Sequence, residues 1–394
     1  MLPNGWKKVK LGDIATISSG STPLRSNKAY FENGNMPWVK TMDLTNGKIT
    51  KTDECITELA AKKCKPYPPG TVLVAMYGGF NQIGRTGLLT FPASINQALA
   101  ALQFDKNICS EYVLFYLNAN VDCWRSCAAS SRKDPNITSH DVEKFKIVLP
   151  PLEEQKKIAA TLSVWDSAIE KMEKLIDAKE SLLMEYGKEL FGRTEQKQNE
   201  NWSTIALSDV LNEHGDKSTG KEKVFSVSVH KGLVNQIEHL GRSFAAKDTS
   251  NYNRVHYGDI VYTKSPTGDF PLGIVKQSLI KEDVIVSPLY GVFTPKTFEL
   301  GAILDFYFSS PINANNYLRP VAQKGAKNTI NITNKKFLSA KLRLPIGVKE
   351  QKKIAQFVQT TKKEMAVLQE ILENYKKQKQ GLMQKLLTGQ WRVK

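Results

Sequence analysis

Six consecutive residues, Glu154-Gln155-Lys156-Lys157-Ile158-Ala159, recur unchanged as Glu350-Gln351-Lys352-Lys353-Ile354-Ala355, 196 positions later. Other matches fall at the same offset or one residue short of it. Trp6 with Leu11-Gly12-Asp13-Ile14 corresponds to Trp202 with Leu207-Ser208-Asp209-Val210. Asn136-Ile137-Thr138 returns as Asn331-Ile332-Thr333, and Leu149-Pro150 as Leu344-Pro345. A period this long and this constant is the mark of a tandem duplication. The chain must therefore build one kind of unit twice.

Each unit has a globular part and a helical part. Pro150-Pro151 and Pro345 end a strand and let a helix begin just after them. From there, apolar residues fall at Ile158, Leu162, Trp165, Ile169, Met172, Ile176, Leu183 and Leu190, an a/d heptad frame that Lys179 breaks once. The second copy keeps the frame at Ile354, Val358, Thr361, Met365, Leu368, Leu372, Tyr375, Lys379, Leu382 and Leu386. Gly192 and Gly389 stand where C-terminal caps are expected. A seam spanning ~50 Å at 1.5 Å per residue must be buried against another helix.

Charge chooses the partner. Residues 151–192 hold 6 basic and 9 acidic residues, and residues 349–394 hold 11 and 4. The acidic first helix and basic second helix favour an intramolecular antiparallel pair, a rigid rod between two globular parts. The alternative use of the seam is homodimerisation. The globular parts, residues 1–150 and 193–348, each carry a surplus of six positive charges, and the whole chain is +16. A surplus distributed in this way suits a polyanion.

The globular parts read as α+β. Thr71–Met76, Ala98–Gln103, Asp259–Thr263 and Leu289–Thr294 read as strands, Glu111–Leu117 as a helix, with dense Gly and Pro punctuation between. The four-part organisation expected is 1–150, 151–192, 193–348 and 349–394. No stretch reaches the ~18–20 apolar residues of a membrane span, and no leader is visible before Trp6, so a cytoplasmic location is expected. Five cysteines, all in the first third, read as free thiols; the Cys123/Cys127 spacing lacks the second pair a zinc site needs.

Two diverged basic domains at fixed separation suit an asymmetric two-part site on duplex DNA, whose half-sites lie ~34–36 Å apart per turn. The candidate contacts lie in loops where Gly, Ser and Asn accompany base: Lys40 and Thr41; Asn81 and Arg85; Ser131, Arg132 and Lys133; Lys264; and Lys324, Lys327 and Asn328. Small residues let amides approach phosphate, and Arg, Lys and Asn supply donors for phosphates and base edges.

Catalytic patterns are weak. Gly215–Lys221 matches the start of a P-loop, but Glu222 stands where Ser or Thr must hold Mg²⁺. The Glu154-Gln155-Lys156 and Glu350-Gln351-Lys352 triplets could serve a nuclease, yet each opens a helix, where acid suits the dipole. His140, His214, His230, His239 and His256 show no paired spacing. No catalytic residue and no metal ligand is expected.

The two units, each running from Trp…Leu-x-Asp-(Ile/Val) through Leu-Pro to Glu-Gln-Lys-Lys-Ile-Ala and a heptad helix, resemble a type I restriction-modification specificity subunit. Ser19-Gly20-Ser21-Thr22-Pro23 and Ile95-Asn96-Gln97 add to the likeness; the second unit has Ser287-Pro288-Leu289 where the latter would fall. The resemblance implies two target recognition domains separated by an antiparallel coiled-coil spacer. It implies docking of two methyltransferase subunits and of restriction/translocase subunits, with S-adenosylmethionine, ATP and Mg bound by those partners and none by this chain. Reading DNA without catalysis is the role implied. The competing reading is a coiled-coil scaffold whose end domains bind protein or RNA.

Overall fold

The structure is a computed structural model that describes residues 2–79, 81–128, 136–192, 201–240, 248–324 and 330–393. The chain forms two compact units, Met1–Glu173 with Glu370–Lys394, and Lys174–Gln369. Each takes half of each long helix.

In the first unit, strands Ala15–Ser19, Leu99–Phe104, Val72–Ala75, Thr86–Leu89 and Gly47–Ile49 form one sheet in that order. All neighbours are antiparallel except the last pair, which is parallel. Period-two alternation sends Val72, Val74, Ala100 and Leu102 to one face, beneath helix Ser110–Ala119. Leu73, Ala75, Leu99 and Ala101 go to the other face, against Val39, Leu44 and Ile95. Both faces are covered, so the central strand is an uninterrupted apolar run with every residue buried.

The second unit repeats this plan. Leu211–Glu213, Gly291–Pro295, Ile260–Thr263 and Ile274–Gln277 form an antiparallel sheet in the corresponding order, with no counterpart of Gly47–Ile49 among the described residues. In each unit a separate strand pair closes the domain, Lys7–Lys10 with Lys146–Leu149 and Trp202–Ala206 with Lys341–Pro345. The α+β reading and the strand positions agree with the sequence to within two residues.

The long helices span Leu152–Phe191 and Val348–Leu387, forty residues each. Acidic residues open both and a lysine lies in the last turn of both, in accord with the macrodipole. Gly389 adopts the left-handed conformation of a helix stop (φ +75°). Gly192 does not; its amide closes on the Lys188 carbonyl at 2.8 Å.

Within each unit the two helices run antiparallel. In the first, Trp165 meets Tyr375 edge-on at 5.5 Å between ring centroids, Glu173 pairs with Lys376 at 2.9 Å, and Asp166 pairs with Lys379. In the second, Tyr186 lies 4.5 Å from Phe357 and Lys179 pairs with Glu364 at 2.7 Å. The two lysines that interrupt the heptad frame are thus tied to acids of the facing helix. No seam position is exposed.

The seam is not buried by helix alone. Ile158 and Leu162 join the cluster of Tyr112, Val113 and Ile147, while Ile354 and Val358 join that of Ile303, Leu304 and Leu344. Each helix begins directly after an edge strand, so its first turns rest on the domain it leaves. Among the described residues no helix is long and apolar enough to cross a membrane.

Candidate nucleic-acid interface

The repeated hexapeptide fixes each helix to its domain. Gln155 is 1% exposed. Its Nε2 donates to the Pro150 carbonyl and its Oε1 accepts the Cys109 amide, both at 2.9 Å. Gln351 repeats the device at 2.9 Å to the Pro345 carbonyl, with Thr297 Oγ1 donating to its Oε1 at 2.9 Å. Glu154 is buried, accepting Trp6 Nε1 at 3.1 Å and a two-pronged contact from Arg392 at 2.5 and 2.8 Å. A carboxylate spent on an indole and a guanidinium is architectural, which is the part Glu154 plays in the first triplet.

In the first unit, two of the loops chosen for their composition, 40–43 and 77–85, meet, and the two family-likeness segments meet each other. Gly20 lies so close to the backbone of Ile95 and Asn96 that a Cβ there would stand 2.3 Å from their carbonyl oxygens. Thr22 donates to Gln97. The two motifs that carried the family likeness are therefore one contact. Gln82 Nε2 reaches Met42 Sδ at 3.6 Å, joining the 40–43 turn to the 77–85 loop. The Ile137 amide bonds the Met76 carbonyl at 3.0 Å and Ser139 Oγ meets Ser19 Oγ at 3.0 Å. The strand end at Ala75, the 19–23 segment and the residues after Pro135 thus share one end of the sheet.

The predicted contacts differ in what they offer. Thr41 opens a short turn, Thr41–Asp43, beside the exposed Met42. Asn81 is exposed, and Arg85 Nε donates to its carbonyl at 3.1 Å, aiming the guanidinium along the loop. Lys40 is less available than composition implied: its Nζ pairs with Glu54 at 2.8 Å. Arg25 grips the same carboxylate with both terminal nitrogens, one at 3.1 Å, and lies over Phe31 and Trp38 at 4.8 and 4.9 Å. The Arg25 hydrogen bond, opposed by burial and aided by Lys40, holds the Glu54 carboxyl below its usual range. Sequence reasoning missed Arg25 and Glu54, which lie apart in the chain and whose only signal was opposite charge.

In the second unit, Lys264 directly follows the central strand Ile260–Thr263. Burial pushes its ammonium down, with nearby Glu213 opposing. Lys324 lies on a strand, Gln323–Lys324, that pairs antiparallel with Ile330–Asn331. Its side chain, Lys327 and Asn328 lie outside the described residues, as do Ser131, Arg132 and Lys133.

The P-loop match fails on geometry. Glu222 folds back onto the turn, accepting Thr219 N–H at 3.0 Å, Thr219 Oγ1 at 2.7 Å and Ser218 Oγ at 3.1 Å. Burial pushes this carboxyl up, but the hydroxyl and amide donors outweigh it and bring it to about 2. The turn supplies its own anion, and strand Phe225–Ser228 follows where a P-loop needs a helix.

Residues 3–180 match the family model described as the type I restriction modification DNA specificity domain. The chain is 25% identical over 279 residues to the type I restriction enzyme MjaIX specificity subunit of Methanocaldococcus jannaschii, covering 66% of this chain and 63% of that relative. It thus spans somewhat less than two thirds of that protein's length. With the MjaVIII specificity subunit of the same organism it is 24% identical over 431 positions, covering 100% of this chain and 94% of the relative. The crystal structure of a type I restriction-modification S subunit from M. genitalium has the same fold, with a TM-score of 0.65 at 16% identity over 98% of each chain. The chain is thus similar along its length to type I restriction-modification specificity subunits, and its first 180 residues carry the match to the family's DNA specificity domain.

Proposed function

We propose that this chain reads an asymmetric, two-part DNA sequence for a type I restriction-modification complex. Each unit reads one half-site, and the paired helices set the unread gap and carry two methyltransferase subunits, with restriction/translocase subunits joining for cleavage. S-adenosylmethionine, ATP and Mg belong to those partners. The observation that carries this reading is one sheet order built twice on diverged loop sequences, each copy clamped to the same helix pair through Gln155 or Gln351. Equivalent scaffolds with unlike loops suit two different base sequences; identical loops would suit a palindrome.

Contacts in the first unit come from the end of the sheet where Thr41, Asn81 and Arg85 gather, and in the second from Lys264, Lys324, Lys327 and Asn328. Lys40 contributes through the Glu54 cluster, which holds Arg25 and Lys40 side by side.

The test is selection of random duplexes by the assembled complex, read by sequencing. Two short unlike motifs at a fixed gap are expected; a single contiguous motif would refute the two-reader scheme. Replacing Lys324, Lys327 and Asn328 together by Ala should relax the bases read at one half-site only, at ~1–3 kcal/mol per lost base contact. Equal relaxation of both halves would count against the assignment. Binding should fall steeply with salt, as it does for proteins making many phosphate contacts.

A further inference from the structure

The second unit brings together five titratable side chains that are scattered in sequence. Residues 214–218 run antiparallel beside 252–256: the Arg254 amide bonds the Asp216 carbonyl at 2.9 Å, and the Ser218 amide bonds Tyr252 at 3.0 Å. Lys217 faces Asn253 in this ladder. That register sets Asp216 opposite Arg254 and His214 opposite His256. Strand alternation then turns all four to one face. The two imidazoles lie 5.4 Å apart between centroids.

One nitrogen of each histidine and one Asp216 oxygen lie within 4.8 Å of one another, the one such group among the described residues. His256 Nε2 is 2.9 Å from Asp216 Oδ2, and His214 Nδ1 is 4.0 Å from the same oxygen. The outward nitrogen of each ring is engaged by a second carboxylate, His214 Nε2 by Asp259 at 3.0 Å and His256 Nδ1 by Asp283 at 2.9 Å.

Asp259 is itself locked as an acceptor, taking the His256 amide at 2.7 Å and Thr294 Oγ1 at 2.8 Å. It therefore holds the proton of His214 on Nε2 and leaves a lone pair on Nδ1. That Nδ1 is buried and has no hydrogen-bond partner among the described residues. A lone pair thus faces, at a distance too long for a hydrogen bond, a carboxylate oxygen whose short partner is His256 Nε2 at 2.9 Å, and a cation taking these donors displaces the proton that His256 shares with Asp216. Two acceptors so placed are matched by a cation. Arg254 reaches only to 3.8 Å of Asp216.

We propose that His214 Nδ1, His256 Nε2 and Asp216 Oδ2 form a site for a divalent transition metal of the zinc class, with water as fourth ligand. Two imidazoles and a carboxylate are the donor set of that class, and a carboxylate behind each imidazole is the outer shell that fixes ring orientation in such sites. Bond lengths of ~2.0–2.2 Å set tetrahedral donors ~3.4 Å apart, so His214 Nδ1 must close on Asp216 Oδ2 from 4.0 Å while His256 Nε2 parts from it from 2.9 Å, movements the turn at Gly215 can follow, since a Cβ there would meet nothing. The metal pins the 214–222 segment to the strand Asn253–Val255 and so stiffens one side of the second unit. None of its donors is a cysteine, and all five cysteines are in the first third of the sequence.

The experiment uses the full chain, stripped with chelator and titrated with Co²⁺, which is then displaced by Zn²⁺. One Co²⁺ per chain with visible bands and no thiolate charge-transfer band is expected. Asp216→Asn and His256→Gln should each weaken binding at least 10-fold, and Asp283→Asn, which touches only the outer face of His256, by ~10–100-fold. Adding Zn²⁺ to the unaltered chain should slow amide exchange at 214–218 and 252–256, a readout that does not depend on how the variants fold. A thiolate band, undiminished binding by the variants, or exchange at these segments unmoved by Zn²⁺ would each overturn the proposal.

Discussion

Replacing Gln155 by Leu tests the claim that the repeated hexapeptide is a structural clamp. The substitution keeps approximate volume but removes both polar contacts of a side chain that is 1% exposed. The Pro150 carbonyl is buried, and the Cys109 amide is half-buried; both lose their partner. At ~1–3 kcal/mol for each stranded group, the loss is about 2–6 kcal/mol. Gln351→Leu is the internal control. There the buried Pro345 carbonyl is stranded, but Thr297 keeps a role, since its Oγ1 still accepts the Leu300 amide at 3.1 Å. One stranded group gives about 1–3 kcal/mol. A two-unit chain does not melt as a single two-state system, so the assay is native-state hydrogen exchange by mass spectrometry, which reads each unit separately. In Gln155→Leu, protection should fall in 109–117 and 146–160 and persist in 297–308 and 341–358; Gln351→Leu should show the reverse with a smaller drop. A larger drop for Gln351→Leu, or no drop in either, would refute the reasoning.

Three further outcomes are expected. Gly389→Ala forces a left-handed residue to carry a Cβ 2.4 Å from Pro3 Cγ, and should cost at least ~1–2 kcal/mol; Gly381→Ala, in helix with nothing within 4 Å, should add up to ~1 kcal/mol. Both are read as changes in amide-exchange protection of the first unit. Because the folded Glu222 carboxyl sits at about 2 against an unperturbed 4.5, its ordering of the 218–222 turn is complete above 4.5 and is lost as pH falls through about 2; the Thr219 amide resonance should hold its position at pH 4 and move below pH 3. A double-mutant cycle on Trp165→Ala and Tyr375→Ala should give a coupling of ~0.5–1.5 kcal/mol, and a value near zero would mean the edge-on contact adds nothing beyond burial.

What could be read from the sequence was whatever repeats or has a period. The hexapeptide, the heptad frame and the apolar runs at Val72–Ala75 and Ile260–Thr263 each signal locally, so the helices and central strands followed. The purpose of the hexapeptide did not follow, because Gln155 acts on Cys109 and Glu154 on Arg392, partners set by tertiary structure. Lys40 looked like a bare loop cation because Glu54, fourteen residues away, has no pattern that marks it as a partner. The histidines at 214 and 256 showed no spacing because a strand register, not a sequence interval, brings them together.

The division of the helices has a consequence for how the chain can change length. Lys376 holds Glu173 on one side of the boundary between compact units, and Lys179 holds Glu364 on the other. Seven residues added to one helix near position 173 would leave the opposite helix that much too short, and one set of partners would have to slip or bulge out. Matched additions near 173 and 369 keep every pairing and every domain contact intact. Lengthening is therefore a two-handed operation, open only to paired changes almost two hundred residues apart in the sequence. Selection for longer helices should leave correlated insertions at these two positions.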